Sequence, residues 1–322
     1  MKKNGMRNII KSNTFILFCV TIIVIIVFFI ANNNFLTLTN VQGVLLSMGF
    51  DGILVLGTAI VLICGEVDLS CGAIACLCGT EFGFIVNAGI PWGFALLFCL
   101  LTGMLFGLIN AFFINELKFM NFMLTLAMAQ VYRGFAALAL KNKNIQVRNQ
   151  SMQVLGKNIG ILPISFVIMV VLLIIYGLIL NRRRLGRAVY LVGGNREAAR
   201  LAGINPKKIS YFVFINNGML GALAGVIYTA RMHTASSATG TNAETSAITA
   251  AVLGGISFLG GSGSVAGCFV GVMLLDFFNT GLTAVGFPAY WQIVARGALL
   301  IAALVLDFFT FKVKQVKVSN AV

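Results

Sequence analysis

Long apolar runs, separated only by short polar segments, dominate this chain and restrict the solvent in which it can fold. Thr14 to Ala31, Leu36 to Ile63, Trp92 to Ile114, Pro163 to Leu180 and Trp291 to Phe311 hold no lysine or arginine apart from Arg296. Each approaches or exceeds the roughly 20 residues a helix needs to cross a hydrocarbon core about 30 Å thick. Only 10% of the residues are charged, against roughly 25% in soluble domains. So few charges cannot cover an aqueous surface, and lipid must surround most of the chain. The fold class expected is an all-α integral membrane protein.

About ten spans are expected, near 14–31, 41–63, 69–88, 92–114, 121–140, 163–180, 211–230, 245–258, 265–285 and 291–309. The eighth is too short to cross unaided and reads as a half-helix or re-entrant segment. Gly254, Gly255, Gly260, Gly261 and Gly263 surround its end, and broken backbone at membrane depth persists only against protein or a wet cavity. The first run is long for a signal sequence and is followed by Asn32, Asn33 and Asn34 rather than a small-residue cleavage site. It reads as a span.

The excess of 23 Lys+Arg over 9 Asp+Glu does not point to nucleic acid, because the basic residues collect between apolar runs, as in cytoplasmic loops. Lys2, Lys3, Arg7 and Lys11 put the N-terminus inside, and the span count puts the C-terminus there too. Residues 181–210 hold Arg182, Arg183, Arg184, Arg187, Arg196, Arg200, Lys207 and Lys208 against Glu197, and fall inside as well. Residues 141–162 fall outside despite Lys141, Lys143, Arg148 and Lys157. A single transmembrane domain, 1–322, then divides around the basic loop at ~181–210 into halves of ~35–160 and ~205–310. Interrupted segments at corresponding places, Cys64 to Ser70 and Gly254 to Gly267, suggest a repeat around a central pathway. The seven cysteines fit no zinc spacing and read as small packing residues.

Within the basic loop, Gly193 to Pro206 reads as one short bounded helix. Asn195 suits the N-cap and Glu197 the first turn. Gly203 suits the left-handed C′ position, followed by apolar Ile204, and Pro206 blocks continuation. So short a helix is not stable alone. Ala198, Leu201 and Ala202 share one face, which fits either a docking knob for a soluble partner or a helix lying on lipid head groups.

Gly193 to Ile204, Gly65-Glu66-Val67-Asp68-Leu69-Ser70 and Gly240 to Gly267 together resemble the ribose-type sugar permease family of ABC importers. Leu108-Ile109-Asn110, Thr125-Leu126, Arg133-Gly134, Glu244, Ile248 and Gly260-Gly261-Ser262-Gly263 add to the likeness, which runs from Phe35 to Asp307. The resemblance implies a second permease copy or a close relative, cytoplasmic ATPase subunits carrying ATP and magnesium, and an extracytoplasmic solute-binding protein, in a bacterial inner membrane. It implies that Gly194, Asn195, Glu197, Ala198, Ala199, Leu201, Ala202, Gly203 and Ile204 form the helix that seats in the ATPase, so that Ala199→Trp should uncouple transport. It implies a monosaccharide as the solute, with branched-chain amino acids or nucleosides as the alternatives. The family pattern has two glycines and an isoleucine before Asp-Leu-Ser, where this chain has Gly65, Glu66 and Val67.

Charges inside a span cost about 2.5–3.5 kcal/mol and usually face a cavity or a partner. Glu66, Asp68, Glu81 and Asp276 qualify, with Arg133 and Arg296 as counter-charges. Glu66, Asp68, Ser70, Asn110, Thr125, Arg133 and Glu244 are the candidates for lining the pathway. Asp68 and Ser70 also suit an N-cap, and Asn110 and Thr125 suit hydrogen bonds between helices. An ion-coupled transporter using Glu66, Asp68 and Arg133 is the remoter alternative. Gly260 to Gly263 matches a serine-protease motif, but His233 falls on the opposite side of the membrane. The absence of a Gly-x-x-x-x-Gly-Lys-[Ser/Thr] motif places any nucleotide, and its metal, on another polypeptide.

Overall fold

The computed structural model describes residues 13–148 and 152–319. The basic cluster Lys2, Lys3, Arg7 and Lys11 lies outside the described residues. In chain order come α1 (Asn13–Ala31), α2 (Leu38–Ile63), α3 (Cys71–Asn87), α4 (Trp92–Asn115) and α5 (Asn121–Leu140). The two-residue strand β1 (Ile145–Gln146), α6 (Gln153–Gly156), β2 (Asn158–Ile159) and β3 (Leu162–Pro163) lead to α7 (Ile164–Arg182). The basic loop forms α8 (Arg184–Gly194) and α9 (Arg196–Leu201). Then follow α10 (Pro206–Met232), β4 (Thr234–Ala235), α11 (Ala243–Leu253), α12 (Val265–Ala284) and α13 (Ala289–Ser319).

Every expected span is met by a helix. Among the described residues seven helices are long and apolar enough to cross a membrane, and α3, α11 and the Tyr290–Val305 part of α13 are shorter apolar helices. At a rise of 1.5 Å per residue, the 11 residues of α11 reach about 16 Å, half of a hydrocarbon core. The helix stops at Gly254 and Gly255, the latter at φ +85°. Earlier in the chain α2 ends in a turn at Cys64 and Gly65, and an irregular segment leads from there to α3.

Burial sorts the helices into an inner and an outer set. The most apolar windows of α2 and α10 are 83% and 72% buried, whereas that of α1 is 6% buried. An almost wholly exposed helix with no charge is stable only against lipid. It is tied on through α12, where Asn32 donates to the Ala284 carbonyl at 2.6 Å. At the centre α10 packs on α2, α3 and α4, and its crossing with α4 is backbone on backbone. A Cβ on Gly103 would lie 2.5 Å from the Gly218 carbonyl oxygen. Small residues allow this approach, and close packing is the main force between helices in lipid. At one end of the bundle β1 pairs antiparallel with β4, Ile145 opposite Ala235. The α8–α9 loop sits at the other end.

Candidate functional site

The short helix α9 is built as its sequence dictates. The Asn195 side chain accepts from the Ala198 amide at 3.0 Å. At the far end the Gly203 amide bonds to the Arg200 carbonyl and the Ile204 amide to the Ala199 carbonyl, both at 3.0 Å. With Gly203 at φ +80°, this pair of bonds is the Schellman stop. Ala198, Leu201 and Ala202 are exposed, and Leu201 is 90% so. Ala199 points inward and is 1% exposed. A tryptophan there would push α9 off its own bundle, so Ala199→Trp does not test docking, and Leu201 is the residue that does. Gly194 and Glu197 are exposed and Ile204 is half-buried.

The preceding α8 holds α9 in place. Gly186, Val189 and Val192 are buried, while Arg184 and Arg187 face outward. Its last turn meets both interrupted segments at a three-way junction of bare backbone. The Gly261 amide donates to the Ile63 carbonyl at 2.8 Å. A Cβ on Gly260 would lie 2.7 Å from the Gly65 Cα and 2.8 Å from the Gly193 oxygen. Gly65, Gly260 and Gly261 have φ of +73°, +88° and +71°, where a side chain is also strained. Glycine is the one residue that fits here on both counts.

An ion pair reinforces the junction. The Arg196 guanidinium of α9 bonds to Glu66 Oε1, whose side chain is fully buried while that of Arg196 is half exposed. Asn121 approaches the other oxygen at 3.5 Å. A cleft of about 830 Å³ lies beside this pair, lined by Glu66, Lys118, Asn121, Arg196, Arg200 and Lys207 among others. On its rim Lys207 pairs with Glu116 at 2.9 Å. That hydrogen bond holds the Glu116 carboxyl below its usual range. The tie is therefore present at neutral pH and is lost only in acid, as pH falls through the depressed value.

Four of the predicted polar residues converge at the start of α3. Asp68 Oδ1 accepts from the Ser70 amide at 2.8 Å and the Ser70 hydroxyl at 2.6 Å. Asn217 of α10 donates to Asp68 Oδ2 at 2.9 Å. Asn110 of α4 donates to the Ser70 hydroxyl at 2.8 Å, and Tyr132 of α5 donates to Asn110 Oδ1 at 3.0 Å. The Leu69 amide donates to the Thr125 hydroxyl at 3.1 Å. No member exceeds 2% exposure apart from Leu69, so this network is closed to solvent in the conformation seen. Ser70 occupies the helix-start position without a side-chain capping bond; Asp68 orders that turn instead. Sequence reasoning passed over Tyr132 and Asn217, although Asn216-Asn217 within an apolar helix was an available signal.

Glu66, Arg133 and Glu244 lie outside that network. Arg133 donates to the Thr239 and Gly240 carbonyls at 3.2 and 2.6 Å and faces Glu244 at 3.5 Å. It clamps the 236–243 turn onto α5. The Glu244 carboxylate lies over Gly72 in the first turn of α3. The counter-charge role expected for Arg133 thus goes to Glu244. Glu66, Asp68 and Arg133 sit in three separate bonded groups, which removes the geometric basis for joint ion coupling. Asp276 of α12 faces Asp51 of α2, with Arg296 and Arg231 within electrostatic range.

Comparison with known proteins agrees with this architecture. The family described as "Branched-chain amino acid transport system / permease component" matches residues 40–304. The ribose import permease of Bacillus subtilis is 31% identical, over 88% of this chain and 89% of that protein. The L-arabinose transport system permease of Escherichia coli is 32% identical, over 88% and 86%. The autoinducer 2 import system permease of Yersinia enterocolitica is 34% identical, over 79% and 71%. No solved structure matches significantly. Matched over most of its length and built of membrane-crossing helices, the chain belongs to the ABC-importer permease family, in its ribose-type branch.

Proposed function

We propose that the chain is the multi-pass inner-membrane subunit of an ATP-driven importer for a monosaccharide or a closely similar polyhydroxylated solute. The relatives named for ribose, L-arabinose and autoinducer 2 support this solute class. The chain crosses the membrane about ten times as one domain, with both ends and the α8–α9 loop in the cytoplasm. Its two halves flank the pathway, which a second permease copy closes. ATP and magnesium bind to a separate ATPase, and an extracytoplasmic binding protein delivers the solute.

The observation that carries the reading is α9. It is capped at both ends, displays Leu201 to solvent, and joins by backbone contact and ion pair to the interruptions of both halves. Closure of the ATPase pair displaces α9. The motion passes through Gly65 and Glu66 to Asp68, and through Asp68, Ser70 and Asn217 to α3, α4 and α10. In this scheme Asp68, Ser70, Asn110 and Thr125 set the position of the helices that bound the pathway. Arg133 and Glu244 act on the first turn of the same helix, at Gly72.

The test is Leu201→Glu. It should abolish co-purification of the ATPase in mild detergent and lower reconstituted uptake at least tenfold, while the chain still inserts. Retention of both would overturn the docking role.

A further inference from the structure

Asp68, Ser70, Asn110 and Thr125 are packed shut, so a surface that meets the solute must be sought elsewhere. The helices α11 and α13 enclose a cavity of about 230 Å³, lined by Asn242, Thr245, Ser246, Thr249, Arg296 and, at its apolar rim, Ile293 and Leu300. It is smaller than the roughly 300–1,000 Å³ of drug-sized pockets and has room for one small molecule. Within an otherwise apolar chain this lining is unusual in being hydroxyl, amide and guanidinium together.

This face does not suit lipid. Asn242 and Thr245 are exposed, and Arg296 sits about 10 Å along α13 from its start. A guanidinium at such depth costs about 2.5–3.5 kcal/mol unless it faces protein or water. The half-length α11 adds a second reason, since interrupted helices in transporters border the solute path. We infer that the α11–α13 cavity is the permease's own contact site for a small neutral polyhydroxylated solute, on the wall of the pathway. The inference rests on the importer reading above.

The donor and acceptor pattern fits that class. Thr245 donates to the Asn242 carbonyl at 2.8 Å and Thr249 to the Thr245 carbonyl at 2.7 Å, which leaves their lone pairs as acceptors for solute hydroxyls. Arg296 supplies donors, and the Asn242 amide supplies both. Ile293 and Leu300 offer an apolar surface for the C–H face of a ring. Asp51 lies within electrostatic range of Arg296, so a carboxylate of the protein already stands near the guanidinium. A site open to the pathway and made of so few contacts holds its ligand weakly, as a relay between binding protein and cytoplasm requires.

The experiment uses the permease reconstituted in vesicles with its ATPase and binding protein, and follows ATP-driven uptake of labelled D-ribose, L-arabinose and D-glucose. The double variant Thr245→Val with Thr249→Val should lower uptake at least tenfold and leave ATP hydrolysis stimulated by the loaded binding protein within twofold of wild type. Serine at both positions should restore uptake. Thr245→Cys should react with a membrane-impermeant thiol reagent, and modification should block uptake, while the unsubstituted chain is unaffected. Unchanged uptake by the double valine variant, or an inert Thr245→Cys, overturns the site and leaves the importer reading standing. A wild-type complex that takes up none of the sugars overturns both.

Discussion

Asp68 shows how much one side chain can organise inside a membrane. Its carboxylate takes three donors, from the Ser70 amide, the Ser70 hydroxyl and Asn217. In lipid each of these groups would otherwise lack a partner, at a cost of roughly 1–3 kcal/mol per orphaned buried polar group. Asn217→Ala removes the donor from Asp68 Oδ2 and opens a gap between α10 and the start of α3. We expect a lower melting temperature of the detergent-solubilised chain, corresponding to about 1–3 kcal/mol. Tyr132→Phe, which removes a hydroxyl at the network's rim, should shift it less. Equal melting of Asn217→Ala and wild type would show that Asp68 draws no stability from α10. The Asp-Leu-Ser triplet was legible as a helix start in the sequence, but its partners on α4, α5 and α10 lie 40 to 149 residues away. Periodicity carries no information about such pairings.

At the scale of elements, α9 was legible to within a residue because capping is local chemistry. Asn195, Gly203 and Ile204 each act within a few positions of where they stand. The short α11 was legible for the same reason, since its length and its glycines are written consecutively. Two features were not. Pro206 reads as the end of α9, yet it is also the first residue of α10, where its missing amide is no loss, with Asn205 as N-cap accepting from Lys208 at 3.3 Å. Glu66 reads as a pathway acid because it adjoins Asp68, but its partner stands 130 residues on, at Arg196. That pair gives a prediction of its own. Removing Arg196 strands the buried Glu66 charge, which costs more than removing both partners. Glu66→Gln and Arg196→Glu should each weaken the link between ATP hydrolysis and uptake, read as solute moved per ATP consumed. The swap Glu66→Arg with Arg196→Glu should recover part of it. Single and double variants with wild-type stoichiometry would show that the ion pair bears no force.

For the whole molecule, the contrast between a 6% buried α1 and an 83% buried α2 separates helices that meet lipid from those that form the moving core. The proposed function assigns the energy source to a separate ATPase. Vesicles holding this polypeptide alone should not concentrate labelled sugar, even under a proton or sodium gradient. Accumulation would restore the ion-coupled alternative.

The glycine junction bears on how the subunit changes shape. Where Ile63, Gly193 and Gly261 touch through main chain, no flexible side chain stands between the parts to absorb a displacement. A displacement of the α8–α9 loop would therefore be passed directly to residues 63–65 and 260–261. For the proposed importer, such a rigid joint favours a concerted step between outward and inward access over one in which a single interruption moves first.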